Sequence, residues 1–165
     1  MITAILPGSY DPVTNGHLAV IKRAAELYEH VTVLLTPNSA KTYLFSEENR
    51  LALLRDAVKD LKNVSVEAHH GYLIDYAPTH RPCVLIKGVR NTEDYVYEAE
   101  MAVYNRELSL RKYGFPLETL LMQSDPAVSA ISSTLVRTVL ATEADLEGLV
   151  PNPPLLKTLL ASHNA

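Results

Sequence analysis

Five short apolar runs, separated by stretches whose apolar positions recur every three to four residues, constrain this 165-residue chain more than any other feature. The runs are Ile2 to Leu6, Val31 to Leu35, Val64 to Ala68, Val84 to Lys87 and Thr119 to Met122. Their branched side chains and brevity read as buried strands. Between them Leu18, Ile21, Ala25 and Tyr28 share one helical face, as do Leu51, Leu54, Val58 and Leu61. Ser46 ahead of Glu47 and Glu48 is an N-cap followed by acids that suit the positive end of a helix dipole. Pro78 limits Leu73 to Thr79 to one or two helical turns. The longest helix is predicted from about Thr92 to Lys112, with Tyr97, Met101, Tyr104 and Leu108 toward the core. Two further helices are expected over Ser132 to Leu140 and Pro153 to Leu160.

Such alternation predicts a doubly wound α/β fold: a Rossmann-like, five-stranded parallel sheet with helices on both faces and a C-terminal helical tail. A single domain over residues 1–165 follows from the length, and a 47% apolar composition fills its core without disulfides. Cys83, the one cysteine, lies in the apolar run CVLIKG and reads as a small buried hydrophobe. In this fold ligands bind beyond the carboxyl ends of the strands. The segments to inspect are therefore Pro7 to His17, Asn38 to Phe45, Gly71 to Leu73, Gly88 to Asn91 and Gln123 to Thr134.

A formal charge of -4 with scattered lysines and arginines excludes a nucleic-acid footprint. No apolar stretch approaches the roughly 20 residues of a membrane span, so a cytoplasmic protein is expected, without membrane association. His30, His69, His70 and His80 lack metal-ligand spacing, and no protein-bound metal is expected. Cations gathered at one pocket of so acidic a chain would point to a small anionic ligand.

Those cations stand at the predicted strand ends. In PGSYDPVTNGH, residues 7–17, Gly8 and Gly16 permit close backbone approach, and Gly16 and His17 open a helix whose free amides suit phosphate. An imidazole at a helix N-terminus is biased toward its neutral form, which makes His17 a hydrogen-bond donor rather than a base. Lys41 follows the second strand; Lys87 closes the fourth, with Gly88 and Arg90 behind it. Ser132, Ser133 and Thr134 offer three hydroxyls at a helix start. Glu98, Met101 and Asn105 form one stripe along the long helix, since seven residues return a side chain to within about 20°. Taken alone, Pro7 to His17 also reads as two turns, and Glu98 also reads as the partner of a nearby cation.

Thr14, Gly16 and His17 match the T/H-x-G-H motif of the nucleotidyltransferase superfamily, and ISSTLVR, residues 131–137, matches its second signature. With KGVRNTEDYVYEAEMAVYNREL between them, the stretch from Ile5 to about Val136 resembles the bacterial phosphopantetheine adenylyltransferases. The resemblance implies transfer of AMP from ATP to 4′-phosphopantetheine, with magnesium delivered by the ATP. It implies catalytic roles for His17, Lys41 and Arg90. It also implies ATP contacts from Ser9, Tyr10, His17, Gly88, Val89, Arg90, Glu98, Val128, Ser129, Ala130, Ile131, Ser132, Ser133 and Thr134. Ser9, Lys41, Leu73, Lys87 and Asn105 would take the acceptor. A homohexamer and feedback by coenzyme A are further implications. Two residues depart from the family pattern: Lys87 stands where arginine is common, and Val128 where an aromatic often packs near adenine. A different phosphate acceptor and a non-catalytic nucleotide or coenzyme A sensor are the competing readings.

Overall fold

A computed structural model describes residues 2–38 and 40–163. Strands β1 (Thr3–Gly8), β2 (His30–Leu35), β3 (Val64–Ala68), β4 (Cys83–Val89) and β5 (Thr119–Gln123) form one parallel sheet in the order β3-β2-β1-β4-β5. Successive side chains of a strand point to opposite faces, and the sheet accordingly carries two cores. Ala4 and Leu6, Val31, Val33 and Leu35, and Val84 and Ile86 belong to the larger core. Helices α1 (Asn15–Leu27), α2 (Glu47–Val58), α5 (Ser133–Ala141) and α6 (Pro153–His163) close it with Ile21, Leu54, Val136 and Leu156. Ile5, Leu34 and Leu85 face the other way, against Ile74 and Tyr76 of α3 (Leu73–Tyr76) and Leu108 of α4 (Thr92–Tyr113).

The expected architecture is the observed one, with local differences that matter for the site. β1 runs on through Pro7 and Gly8, which register opposite Leu34 and Leu35, while Ile2 lies outside it. β4 extends to Val89, so Lys87 projects from within the strand rather than closing it. Leu73 to Thr79 becomes the single turn of α3 followed by a 3-10 turn, Ala77–His80, which accommodates Pro78. Gly114 ends α4 with φ 73°, the left-handed C-cap conformation that glycine adopts without steric cost. Cys83 is half-buried, its thiol donates to the Ala77 carbonyl at 3.6 Å, and burial pushes its pKa up, the behaviour of a structural thiol.

The expectation that Tyr97 and Tyr104 face the core is corrected: they are 60% and 58% exposed. Helix α4 touches β4 and β5 at one side of the sheet, and Ser109 is its buried residue. Its remaining apolar side chains, including Tyr95, Val96 and Val103, exceed what the stripe against the sheet can cover.

Strands β2 and β3 are laid out on one side of β1, after which the chain crosses back to place β4 on the other. Loops leaving β1 and β4 at their carboxyl ends therefore diverge, opening a crevice at the switch point.

Candidate active site

That crevice is a cleft of about 730 Å³, within the range of small-molecule sites. Gly8, Ser9, Tyr10, Gly16 and His17 line it from the first loop, Lys41 from the second and Leu73 from α3. Lys87, Gly88 and Arg90 line it from β4 and the turn after it, Glu98 and Asn105 from α4, and Ile131, Ser132, Ser133 and Thr134 from the start of α5. Four of the expected ATP contacts lie outside this lining. Val89 is buried at the end of β4, and Val128, Ser129 and Ala130 occupy the turn before α5.

His17 is fixed by its own helix cap. The Thr14 hydroxyl accepts the His17 amide at 3.3 Å, while the His17 Nδ1 receives the Thr14 amide at 3.1 Å, a reciprocal capping box. A backbone N–H can only donate, so Nδ1 carries a lone pair and the ring proton resides on Nε2. The Tyr10 ring meets the imidazole edge-on at 5.0 Å, and its hydroxyl is tied to the Leu6 carbonyl at 2.8 Å. Burial is the first cause, and the positive charges of Arg90 and Lys87 the next, that push the His17 pKa down to about 4. Desolvation and two neighbouring cations, rather than the helix end expected from the sequence, account for this neutrality.

The cation of β4 and the one in the turn after it each meet a carboxylate of α4. The Lys87 ammonium lies 3.1 Å from a Glu98 oxygen and 3.4 Å from the Pro7 carbonyl. Arg90 is bound by both oxygens of Asp94, at 2.8 and 3.2 Å, and that pairing holds the Asp94 carboxyl below its ordinary range. Asp94 was missed in the sequence, although a carboxylate four residues after an arginine, inside a helix's first turn, signals such a pair.

The second loop is held against the first. Asp11, 3% exposed, accepts the amides of Leu44 and Phe45 at 2.8 and 2.9 Å. Arg50, also 3% exposed, donates to the Ser9 carbonyl at 2.8 Å and stacks over the Tyr43 ring at 4.0 Å. Arg50 was detectable, because an arginine three and four residues before Leu53 and Leu54 sits on the apolar face of α2. Asp11 gave no such signal, since its burial depends on a loop distant in sequence.

The two signatures pack directly on each other. A side chain at Gly16 would put a Cβ 2.9 Å from the Ile131 carbonyl oxygen and 3.4 Å from that of Val128, so only glycine admits this approach. Ser132 caps α5 through the Leu135 amide, Ser133 donates to the Pro12 carbonyl at 2.8 Å, and Arg137 donates to that of Asp11 at 2.6 Å. One wall thus presents hydroxyls and helix-end amides, and the facing wall presents cations. Between them stands the neutral imidazole with its Nε2–H free to donate, an arrangement suited to phosphoryl or nucleotidyl transfer.

A family model described as cytidylyltransferase-like matches residues 5–139. The chain is 39% identical over 153 residues to the phosphopantetheine adenylyltransferase of Dictyoglomus turgidum, covering 92% of each. It is 41% identical over 165 residues to that of Bifidobacterium longum, covering 98% of this chain and 96% of the other. With that of Streptomyces coelicolor it shares 40% over 159 residues, covering 96% of each. Among solved structures, a putative nicotinate-nucleotide adenylyltransferase from Vibrio parahaemolyticus superposes with a TM-score of 0.68 at 19% identity, over 98% of this chain and 93% of that one. A lipopolysaccharide core biosynthesis protein from Thermoplasma volcanium gives 0.55 at 23%, over 76% of this chain and 98% of that one. At those identities the structures bear on the fold alone.

Proposed function

The chain belongs to the phosphopantetheine adenylyltransferase family, and we infer that its cleft brings ATP and 4′-phosphopantetheine together for in-line transfer between phosphates. The enzyme transfers the adenylyl group of ATP to 4′-phosphopantetheine and yields dephospho-coenzyme A and pyrophosphate. An oxygen of the acceptor phosphate forms the new bond to the α-phosphorus. The bond from that phosphorus to the bridging oxygen breaks, and pyrophosphate leaves with the electron pair. Because the acceptor is already a nucleophile, the protein need only position the two phosphates and offset the charge that builds on the equatorial oxygens.

The observation that carries this reading is the neutral His17, whose Nδ1 is occupied by the Thr14 amide and whose neighbours are Lys87 and Arg90. Its Nε2–H donates to the α-phosphoryl oxygens as charge develops, with Arg90 beside it. Lys87, Lys41 and the Ser9 hydroxyl hold the acceptor phosphate, and Leu73 and Asn105 follow its pantetheine arm. Ser132 to Thr134 and the free amides of α5 take the nucleotide phosphates. Tyr10, Gly88, Val89, Glu98 and residues 128–131 complete the nucleotide contacts.

Magnesium comes with the ATP. The carboxylates at the cleft are engaged, Asp94 by Arg90, Glu98 by Lys87 and Asp11 by two amides. Phosphate oxygens and water would therefore hold the ion, in keeping with its coordination habits. Coenzyme A contains both halves of the product and competes for the same cleft. The exposed apolar side chains of α4 support a homohexamer, since Val96, Val103 and Tyr104 lie uncovered on one chain. Charged phosphate substrates favour the cytoplasm, and no helix among the described residues is long and apolar enough to cross a membrane.

The test is turnover. With ATP, magnesium and 4′-phosphopantetheine, the protein is expected to release dephospho-coenzyme A and pyrophosphate in equal amounts. Folded protein that makes neither, or prefers a nicotinamide nucleotide or glycerol phosphate in an acceptor panel, would contradict the assignment.

A further inference from the structure

Asp11 sits at the cleft yet spends its carboxylate on another loop. Its Oδ2 accepts the Leu44 amide at 2.8 Å and its Oδ1 the Phe45 amide at 2.9 Å, across 33 and 34 residues of sequence. A carboxylate so buried is costly unless its oxygens are bound, and two adjacent amides bind both. Those amides form the carboxyl-terminal root of the loop that carries Lys41. At the other root the Thr36 amide donates to the Gly8 carbonyl at 2.9 Å, continuing the β1–β2 pairing. Lys41 lies between these anchors, exposed, and among the described residues it makes no ion pair. Its place in the cleft is therefore set by the backbone that bears it, and that backbone is fixed to the loop of His17.

We propose that Asp11 is a positioning residue, whose carboxylate sets Lys41 over the acceptor phosphate by clamping the Leu44 and Phe45 amides. The proposal rests on the assignment of Lys41 to the acceptor phosphate. It separates the two substrates. Arg137, which leads back to α5 and the nucleotide, donates to the main-chain carbonyl of Asp11 at 2.6 Å, and that bond does not need the side chain. Its guanidinium also pairs with Oδ2 at 3.8 Å, too long for a hydrogen bond and with Arg137 more than a third exposed, so the main-chain bond is the stronger tie. Loss of the carboxylate releases the acceptor side of the cleft and leaves the nucleotide side anchored.

The experiment is a double-mutant cycle of Asp11→Asn and Lys41→Ala in the full chain. It reads the KM for 4′-phosphopantetheine at saturating ATP and the Kd for ATP alone by calorimetry. An asparagine can accept from one amide but turns a donor toward the other, so the acceptor KM should rise about tenfold or more. ATP affinity should change less than about threefold. On the Lys41→Ala background Asp11→Asn should add little, because its effect passes through Lys41. A full repetition of the loss on that background, or an equal loss of ATP affinity, overturns the positioning role. An unchanged acceptor KM in Lys41→Ala alone overturns the Lys41 assignment and this proposal with it, and is distinguishable from the first result. Should the asparagine variant fail to fold, Asp11→Glu carries the same cycle, since it keeps both oxygens and displaces them by one methylene.

Discussion

Replacing His17 by glutamine should make the protein less sensitive to acid. In the folded chain the imidazole resists protonation down to a pH of about 4, against an ordinary value of 6.5. The unfolded chain protonates at the ordinary value. Between those limits the unfolded state binds a proton that the folded state does not, so stability rises with pH. It falls by about 1.4 kcal/mol for each pH unit of descent. Above 6.5 the group contributes no pH dependence, and at pH 5 the folded state has lost about 2 kcal/mol through this one ring. Glutamine cannot titrate there, and at the third position of a helix it can still accept the Thr14 amide as a capping-box residue.

Urea unfolding of both proteins at pH 7.5 and pH 5, at equal concentration and followed by circular dichroism, isolates the difference. Wild type should lose about 2 kcal/mol more than His17→Gln on acidification. Equal losses would mean that His17 titrates normally, and the desolvated imidazole beside two cations would have to be abandoned. Equilibrium unfolding is the cleaner measurement, because the acceptor phosphate itself titrates near pH 6 and shapes any rate profile. At neutral pH His17→Ala, which unlike glutamine keeps no N–H donor, should lose about 100- to 1,000-fold in kcat, with a smaller change in KM.

Lys87→Arg should lower the KM for 4′-phosphopantetheine several-fold, since a guanidinium can bind phosphate with two parallel bonds where an ammonium offers a point charge; a higher KM in steady-state kinetics would contradict this. Gly16→Ala should weaken ATP binding about tenfold in calorimetry, because its Cβ would meet the Ile131 carbonyl oxygen at 2.9 Å and must push the second signature away. Wild-type affinity would show that the two signatures need not touch. Val103→Asp, at a side chain 65% exposed, should leave the monomer fold intact and shift the hydrodynamic mass below that of a hexamer. An unchanged mass in analytical ultracentrifugation would remove α4 from the assembly surface.

What is legible in the sequence is set by the range of the interactions involved. Strand runs and helical periodicities are local, and each expected element exists within a few residues of its predicted bounds. The same is true of Ser46 and Ser132 as caps, whose bonds reach only three residues ahead. Tyr97 and Tyr104 were misplaced because periodicity identifies an apolar stripe without saying whether this chain or another covers it. Lys87 is expected at the end of its strand because the apolar run stops there, ahead of Gly88. In the sheet the glycine simply faces Val20, where a Cβ would come within 2.9 Å. Asp11 lay beyond reach altogether, since nothing adjacent to it indicates a loop arriving from 33 residues away.

The pairs between β4 and α4 explain how an acidic chain maintains a cationic cleft without disordering it. Lys87 within β4 and Arg90 just after it both reach the cleft, and left alone they would repel each other and His17 would feel both charges in full. Glu98 and Asp94, four residues apart and hence about one turn apart on α4, each take one of them. The side chains are thereby oriented before any phosphate arrives, so less of their rotamer freedom remains to be lost on binding. Neither pair is deeply buried, with Lys87 and Glu98 at 25% and 17% exposed, so both can exchange a carboxylate for a phosphate without stranding a charge. A phosphate of higher charge competes well for such cations.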